Sequence, residues 1–313
     1  MISRHRPLPE ESGYGNLKQG LLFTAPWLLG MLLFTLLPAL LSFYYSFHDY
    51  SVLTEPIFVG TGNYQDLAKD ETFRTSLTNT LLFGVMALPG ATLLALVLAF
   101  LIESTRYLKG LFQVLFFIPS LVPLVVVALL WQFIFRADVG IANAILEKLF
   151  RVFGLEQVGL TEGPNWLGST LWSKPALVVT FLWAAGQPMV IYLAGLQDIP
   201  QNLYDTADMD GANWFQKTRH VTLPLLSPLI YFNLIVGTIG ILQVFTVPYV
   251  MMGPQGDPLR SSLFYLMYLF DQAFRKLNMG YACAMAWLLF VVIALLTYGA
   301  HKVAERRVFH REE

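Results

Sequence analysis

Six stretches of this chain contain no Asp, Glu, Lys or Arg: Gly20 to His48, Ser76 to Ile102, Gly110 to Phe135, Pro175 to Gln197, His220 to Gly256 and Leu277 to His301. Each exceeds the roughly 20 residues that carry an α-helix across about 30 Å of hydrocarbon. A charged side chain at the centre of such a helix costs about 2.5–3.5 kcal/mol on insertion scales, so a spanning segment keeps such windows clear. The pattern predicts an all-α, polytopic membrane protein with six transmembrane helices. Their apolar cores are read as Leu21–Tyr45, Leu81–Ile102, Leu111–Phe135, Ala176–Leu196, Leu223–Tyr249 and Tyr281–Ala300. A closed barrel, the other way to satisfy the backbone in lipid, needs short alternating strands, and these runs do not alternate.

Composition agrees. Charged residues make up 13% of the chain, against about 25% in an ordinary soluble domain. The first apolar run is long and follows a polar leader, which favours a retained span over a cleaved signal peptide. Six crossings put both termini and the loop around Asp205 to Gly211 on one side. Arg4, Arg6, Lys18, Arg106, Lys109, Lys217, Arg219, Lys302, Arg306, Arg307 and Arg311 gather there, and the positive-inside rule makes that side the cytoplasm. The expected organisation is a cytoplasmic tail (1–19), a six-helix domain in the plasma membrane (20–301) with a cytoplasmic loop at 198–222, and a second tail (302–313). Outward loops are expected at about 49–76, 136–174 and 252–280, the second carrying a short amphipathic helix from Gly140.

Several function classes lose support. The single Cys283 cannot form an intrachain disulfide, paired Cys and His metal spacings are missing, and the five histidines fall at span edges or in tails. A net charge of −1 without a basic, aromatic-interleaved stripe gives no footprint for nucleic acid. The apolar windows hold no acid/base cluster of an enzyme.

The loop between the fourth and fifth windows is the sizeable polar insert with recognisable spacing. Asp198 is placed to cap a helix whose first turn holds Pro200. Leu203 and Ala207, four apart, share a face. Asp210-Gly211 then ends the helix, because Gly accepts a positive φ, and a second helical segment is expected from Ala212 toward Leu223-Pro224. Two short helices joined at a glycine could be a docking knob or a plain capped connector, and the residues alone leave both readings open.

The same loop, with Gly211 followed by Val221 and then Leu223-Pro224, resembles the Glu-Ala-Ala loop of ATP-binding-cassette importer permeases. The likeness extends from about Leu21 to Ala300 to the six-span sugar permeases related to the maltose and glycerol-phosphate systems. It rests on Asn63-Tyr64, Asn79-Thr80, Trp131-Gln132, Gly140 with Asn143, Ala194 to Pro200, Gly253-Pro254 and Gly280-Tyr281-Ala282. Departures are Asp205 where the family has Glu, Thr206 where it has Ala, and Thr218 where an aromatic residue is common. The resemblance implies a sugar permease working by alternating access. It also implies a second homologous permease, an ATPase dimer docked on Asp205, Thr206, Ala207, Asp210, Gly211, Ala212, Leu223 and Pro224, and an extracytoplasmic solute-binding protein. ATP and Mg would be bound by the partner, since this chain lacks the Gly-x-x-x-x-Gly-Lys-Ser/Thr phosphate cradle and needs no cofactor of its own. A secondary transporter ranks second and a channel for a small neutral solute third, because the spans offer no carboxylate for ion coupling and no internal repeat.

Pro89-Gly90, Pro119 with Pro123, Gly186-Gln187-Pro188 and Pro248 are expected to interrupt the helix ladders of their spans. Trp183 and Gln187, four apart beside one such break, and the amides Asn233 and Gln243 of the fifth span are the candidate substrate path. Neutral amides and rings suit an uncharged sugar or polyol, and a small-residue stripe at Asn233, Gly237 and Gly240 equally suits helix packing.

Overall fold

The computed structural model describes residues 13–105, 107–153 and 162–305; Arg106 and most of both tails lie outside them. Four unbroken stretches, Lys18–Tyr45, Glu71–Ser104, Trp214–Leu242 and Met279–Lys302, are long and apolar enough to span a membrane. Two bent pairs, Lys109–Leu121 with Leu124–Ile134 and Ser173–Leu182 with Gly186–Gln197, make six crossings when each pair counts as one.

Prolines decide where the ladders change. In the first span, α1 (Gly13–Met31) and α2 (Leu37–Tyr45) are joined by a π turn at Leu32–Leu36. Pro38 would strike the carbonyl of Phe34 in a regular helix, and the wider turn relieves that contact. After the short antiparallel pair of β1 (His48–Asp49) with β2 (Ile57–Phe58) and the external helix α3 (Gly62–Lys69), Asp70 caps α4 (Glu71–Ser104), its Oδ1 accepting from Thr72 N at 2.8 Å and Phe73 N at 3.2 Å. Contrary to expectation, α4 runs unbroken through Pro89-Gly90. Its Ala87, Ala91, Ala95 and Ala99, spaced by four, are buried, and the last two pack with residues of the fourth and fifth spans.

The third span is not one kinked helix. α5 (Lys109–Phe117) passes through a 3-10 turn and meets α6 (Leu124–Ile134) at 98°. Val122 sits extended at ψ 131 because Pro123 excludes the helical region from its predecessor. Helix α7 (Ile141–Val152) follows, the amphipathic helix expected in the second outer loop. In the fourth span α8 (Ser173–Leu182) and α9 (Gly186–Gln197) bend by 44° at the expected Gly186 break.

Beyond α10 (Gln201–Met209) and α11 (Trp214–Lys217), a π turn at Thr218–Thr222 leads into α12 (Leu223–Leu242). Pro224 repeats the pattern of Pro38, with His220 the carbonyl displaced. The fifth span ends at Leu242 rather than Tyr249. The break falls on Gln243 to Phe245, centred on Val244, whose carbonyl the Pro248 ring would strike in a continuing helix. The chain then turns into α13 (Thr246–Met252), which packs against α6. Helices α14 (Tyr265–Phe270) and α15 (Met279–Glu305) complete the fold.

Three asparagines that carried the family resemblance act as loop clamps. Asn63 donates to the carbonyls of Ser46 and His48, both at 2.9 Å. Asn79 donates to those of Arg260 and Leu263, at 2.9 and 3.0 Å, while Thr80 accepts from Tyr265 N. Asn143 donates to Ala137 and Pro164 and accepts from Trp166 Nε1 at 2.7 Å. Each fixes an outer loop by satisfying backbone groups that water would otherwise have to reach.

Candidate functional site

The hairpin at 198–222 is built differently at its two ends from what its sequence suggested. Asp198 does not cap α10; it ends α9 in the helical region, and Pro200 at φ −61, ψ 131 occupies the N-cap. Its fixed φ starts the helix without a side-chain cap. At the other end, Ala212 N reaches Ala207 O at 2.9 Å and Gly211 N reaches Asp208 O at 3.0 Å. That pair of bonds is a Schellman closure, with Gly211 at φ +74 as its left-handed residue. The glycine break at Asp210-Gly211 therefore stands where the sequence placed it.

The second arm is not a separate helix. Asn213 and Gln216 form a reciprocal capping box, at 2.8 and 2.9 Å, and from Trp214 the ladder continues into the fifth span, so Leu223 and Pro224 lie within one helix from Trp214 to Leu242. The Asn-x-x-Gln spacing was the signal available for this start. Two contacts lock the arms together. Tyr204 Oη and Thr222 Oγ1 are 2.9 Å apart, and Lys217 Nζ pairs with Asp208 Oδ1 at 2.5 Å. Asp205 accepts from Gln201 at 3.2 Å and Thr206 donates to Asn202 O at 2.8 Å, both within α10. Ala207 is half-buried beneath them.

What the sequence reading missed is the apolar tip. Met209 is 81% exposed, Trp214 70% and Phe215 63%. Large apolar side chains exposed on a polar hairpin are a feature of surfaces that contact protein or membrane.

Two cavities lie along the fourth and fifth spans. One, about 270 Å³, is lined by Gln243 with Ser120, Thr180, Phe181 and Phe245. The other, about 460 Å³, is lined by Gln187 and Asn233 with Thr92, Tyr192 and Phe232. Phe181 and Ala184 belong to both walls, so the cavities adjoin. Among the described residues, no Asp, Glu, Lys or Arg lines either one. Of the four candidate path residues, three are thus brought to the cavities. Trp183 is not; it packs edge-on against Trp131 with ring centroids 6.0 Å apart. Asn233 turns its amide back to Leu229 O at 3.1 Å. Gln243, at the frayed end of α12, is exposed to its cavity. In the small-residue stripe, Gly237 backs onto Leu88 while Gly240 joins the wall of the smaller cavity.

The sequence family described as "Binding-protein-dependent transport system inner membrane component" matches residues 91–310. Among curated proteins, the probable ABC transporter permease protein YesP of Bacillus subtilis is 36% identical, with 89% of this chain and 87% of YesP covered. The trehalose/maltose transport system permease protein MalF of Thermococcus litoralis is 32% identical, covering 94% and 96%. The lactose transport system permease protein LacF of Rhizobium radiobacter is 30% identical, covering 92% and 94%. A crystal structure of a bacterial ABC transporter involved in the import of the acidic polysaccharide alginate superposes with a TM-score of 0.77 at 21% identity, over 95% of this chain and 99% of its counterpart. A second, of a bacterial alginate ABC transporter in complex with an alginate pentasaccharide-bound periplasmic protein, gives 0.79 at 22%, over 95% and 98%. At those identities the two structures establish the shared all-helical fold. The chain belongs to the binding-protein-dependent transport system inner membrane components, the multi-pass permease subunits of ABC transporters.

Proposed function

We propose that this chain translocates a neutral sugar as one permease of an ATP-driven importer, by alternating access. One observation carries the coupling. The foot of the hairpin and the cavity-lining Gln243 are the two ends of a single helix, Trp214–Leu242. At 1.5 Å per residue that helix is roughly 40 Å long, so displacement of Trp214 at one membrane face is passed toward Gln243 along one continuous helix, through the π turn at Thr218–Thr222 near its foot.

In this reading the hairpin and both tails face the cytoplasm, where the exposed Met209, Trp214 and Phe215 seat in a groove of an ATPase subunit. A homologous permease supplies the other half of the pathway, and an extracytoplasmic solute-binding protein delivers the sugar. Hydrolysis of ATP belongs to the ATPase pair. The cavity walls support the substrate class: they offer amides, hydroxyls and aromatic rings and, among the described residues, no cation to clamp an acid. Relatives named for lactose and for trehalose/maltose transport support it.

The test is to purify the chain from its native membrane, identify its companions by mass spectrometry, and measure uptake of the captured binding protein's preferred solute in proteoliposomes. Sugar uptake that requires internal ATP is expected. Uptake without ATP, or a binding protein selective for an amino acid or an ion, overturns the proposal.

A further inference from the structure

Helix α7 presents an apolar flank that nothing within the described residues covers. On a 100° wheel Ile141, Ile145, Leu149 and Val152 fall in one sector, and they are 51, 55, 43 and 70% exposed. Lys148 and Arg151 border one edge of that sector, and Leu146, Glu147 and Phe150, all half-buried, lie on the side that faces the body of the protein. The buried inner edge is pinned by Asn143, whose amide holds the carbonyls of Ala137 and Pro164.

Two independent features fix the level at which this flank lies. First, α7 starts at the end of a membrane-spanning segment. A Cβ on Gly140, its N-cap, would come within 2.5 Å of the carbonyl of Ile134, the last residue of α6. The outward face of α6 itself is apolar, with Leu129 and Phe133 both 54% exposed. Second, Trp166, bonded to Asn143, continues a ring ladder from Trp131 through Phe135 to Trp172 at centroid spacings of 5.0, 5.1 and 5.3 Å. Trp172 is 39% exposed at the cap of α8, where the fourth crossing begins. Tryptophans at the ends of spans sit at headgroup depth.

We infer that α7 is a membrane-interfacial helix, lying in the leaflet opposite the coupling hairpin with Ile141, Ile145, Leu149 and Val152 in the acyl boundary and Lys148 and Arg151 among the lipid headgroups. Helices of this kind bury their apolar face by about 5–10 Å. The occupant of the flank is lipid, because α7 follows directly on α6, whose exposed side chains are apolar, and its buried edge is tied to the ring ladder that reaches the mouth of a span. The function of such a seat is to hold the long second outer loop, and with it the start of α8, at a fixed depth while α9 and α12 move. The inference does not depend on which solute is carried or on which side is the cytoplasm.

The experiment uses the assembled transporter in nanodiscs of phosphatidylethanolamine and phosphatidylglycerol, with Cys283 replaced by Ser. Spin labels are placed singly at positions 144, 145, 149, 151 and 152, and collisions with oxygen and with a nickel chelate are compared. Expected is oxygen access exceeding nickel access at 145, 149 and 152, with the order reversed at 144 and 151. Nickel access at all five positions would show a solvated helix and overturn the inference. Low access to both reagents at 145 and 149, with or without added binding protein, would show a protein partner on the flank and overturn it equally.

Discussion

The hydroxyls of Tyr204 and Thr222 lie 2.9 Å apart, joining the first arm of the 198–222 hairpin to the foot of the fifth span. Thr222 is buried, and its hydroxyl also lies 3.5 Å from Lys217 O. Tyr204→Phe removes the link while keeping the ring, at a cost of about 1 kcal/mol for a neutral hydrogen bond. The expected result is fewer sugar molecules moved per ATP hydrolysed, with assembly and binding-protein affinity unchanged. An unaltered transport-to-hydrolysis ratio would show that the helix alone carries the stroke.

Gly211 closes the Schellman motif at φ +74, and no heavy atom lies within 4 Å of a Cβ built there. The cost of a side chain is therefore one of backbone conformation, about 1–2 kcal/mol, together with bulk added to the docking face. Gly211→Trp is expected to abolish uptake while the external binding protein still docks. Gly211→Asn, which tolerates the left-handed region, should retain a substantial part of it. Uptake at the normal rate by the Trp variant would mark the hairpin as a simple connector.

The hydrophobic windows made the spans legible because insertion penalises charge anywhere along a span, and the Gly211 break was legible because a positive φ selects glycine. Proline effects were read less well. Pro89 sits in α4 without breaking it, Pro123 produces a 98° turn through Val122, and Pro248 ends α12 at the carbonyl four residues earlier. Whether a freed carbonyl kinks, bulges or terminates a helix depends on neighbours distant in sequence. The same limit hid the fate of Trp183, whose partner Trp131 lies on another span, and of Asp198, which the preceding helix absorbed before it could cap the next.

Six crossings put the hairpin and both tails on one side, and the basic bias makes the cytoplasm the expected side. Single cysteines at Gln216 and Lys302 are expected to resist an impermeant maleimide applied to intact cells, while Glu162 and Gln255 react. Labelling of position 216 from outside would invert the topology and remove the hairpin from the reach of a cytoplasmic ATPase.

Asp70 gathers four donors. Thr72 N and Phe73 N bind Oδ1, and the hydroxyls of Tyr268 and Tyr281 donate to Oδ2 at 2.5 and 2.6 Å. Burial pushes the carboxyl up, but these bonds, led by those of Tyr268 and Tyr281, outweigh it and hold the group below its ordinary 3.8. A depressed folded value means the stabilisation is complete above 3.8 and is lost as pH falls through the folded value. Asp70→Asn should lower the melting temperature in detergent near neutral pH. Its deficit against the native chain should shrink only below pH 3.8. A deficit that is constant into that acid range would place the effect in packing rather than charge.

The cavity walls rank the path residues. Asn233 already spends its amide N–H on Leu229 O at 3.1 Å, whereas Gln243 faces the smaller cavity from a helix end with no such bond. A free amide can exchange water for sugar hydroxyls, and losing one neutral hydrogen bond costs about 0.5–1.5 kcal/mol, which is roughly twofold to tenfold in affinity at 1.4 kcal/mol per tenfold. Gln243→Ala is therefore expected to raise the half-saturating sugar concentration for uptake by up to that factor, and Asn233→Ala to raise it less. Trp183→Phe, which keeps an aromatic ring against Trp131, should leave sugar preference intact and lower thermal stability instead. Equal uptake parameters for the Gln243 and Asn233 variants, matching the native chain, would move the sugar path out of these cavities and onto the partner permease.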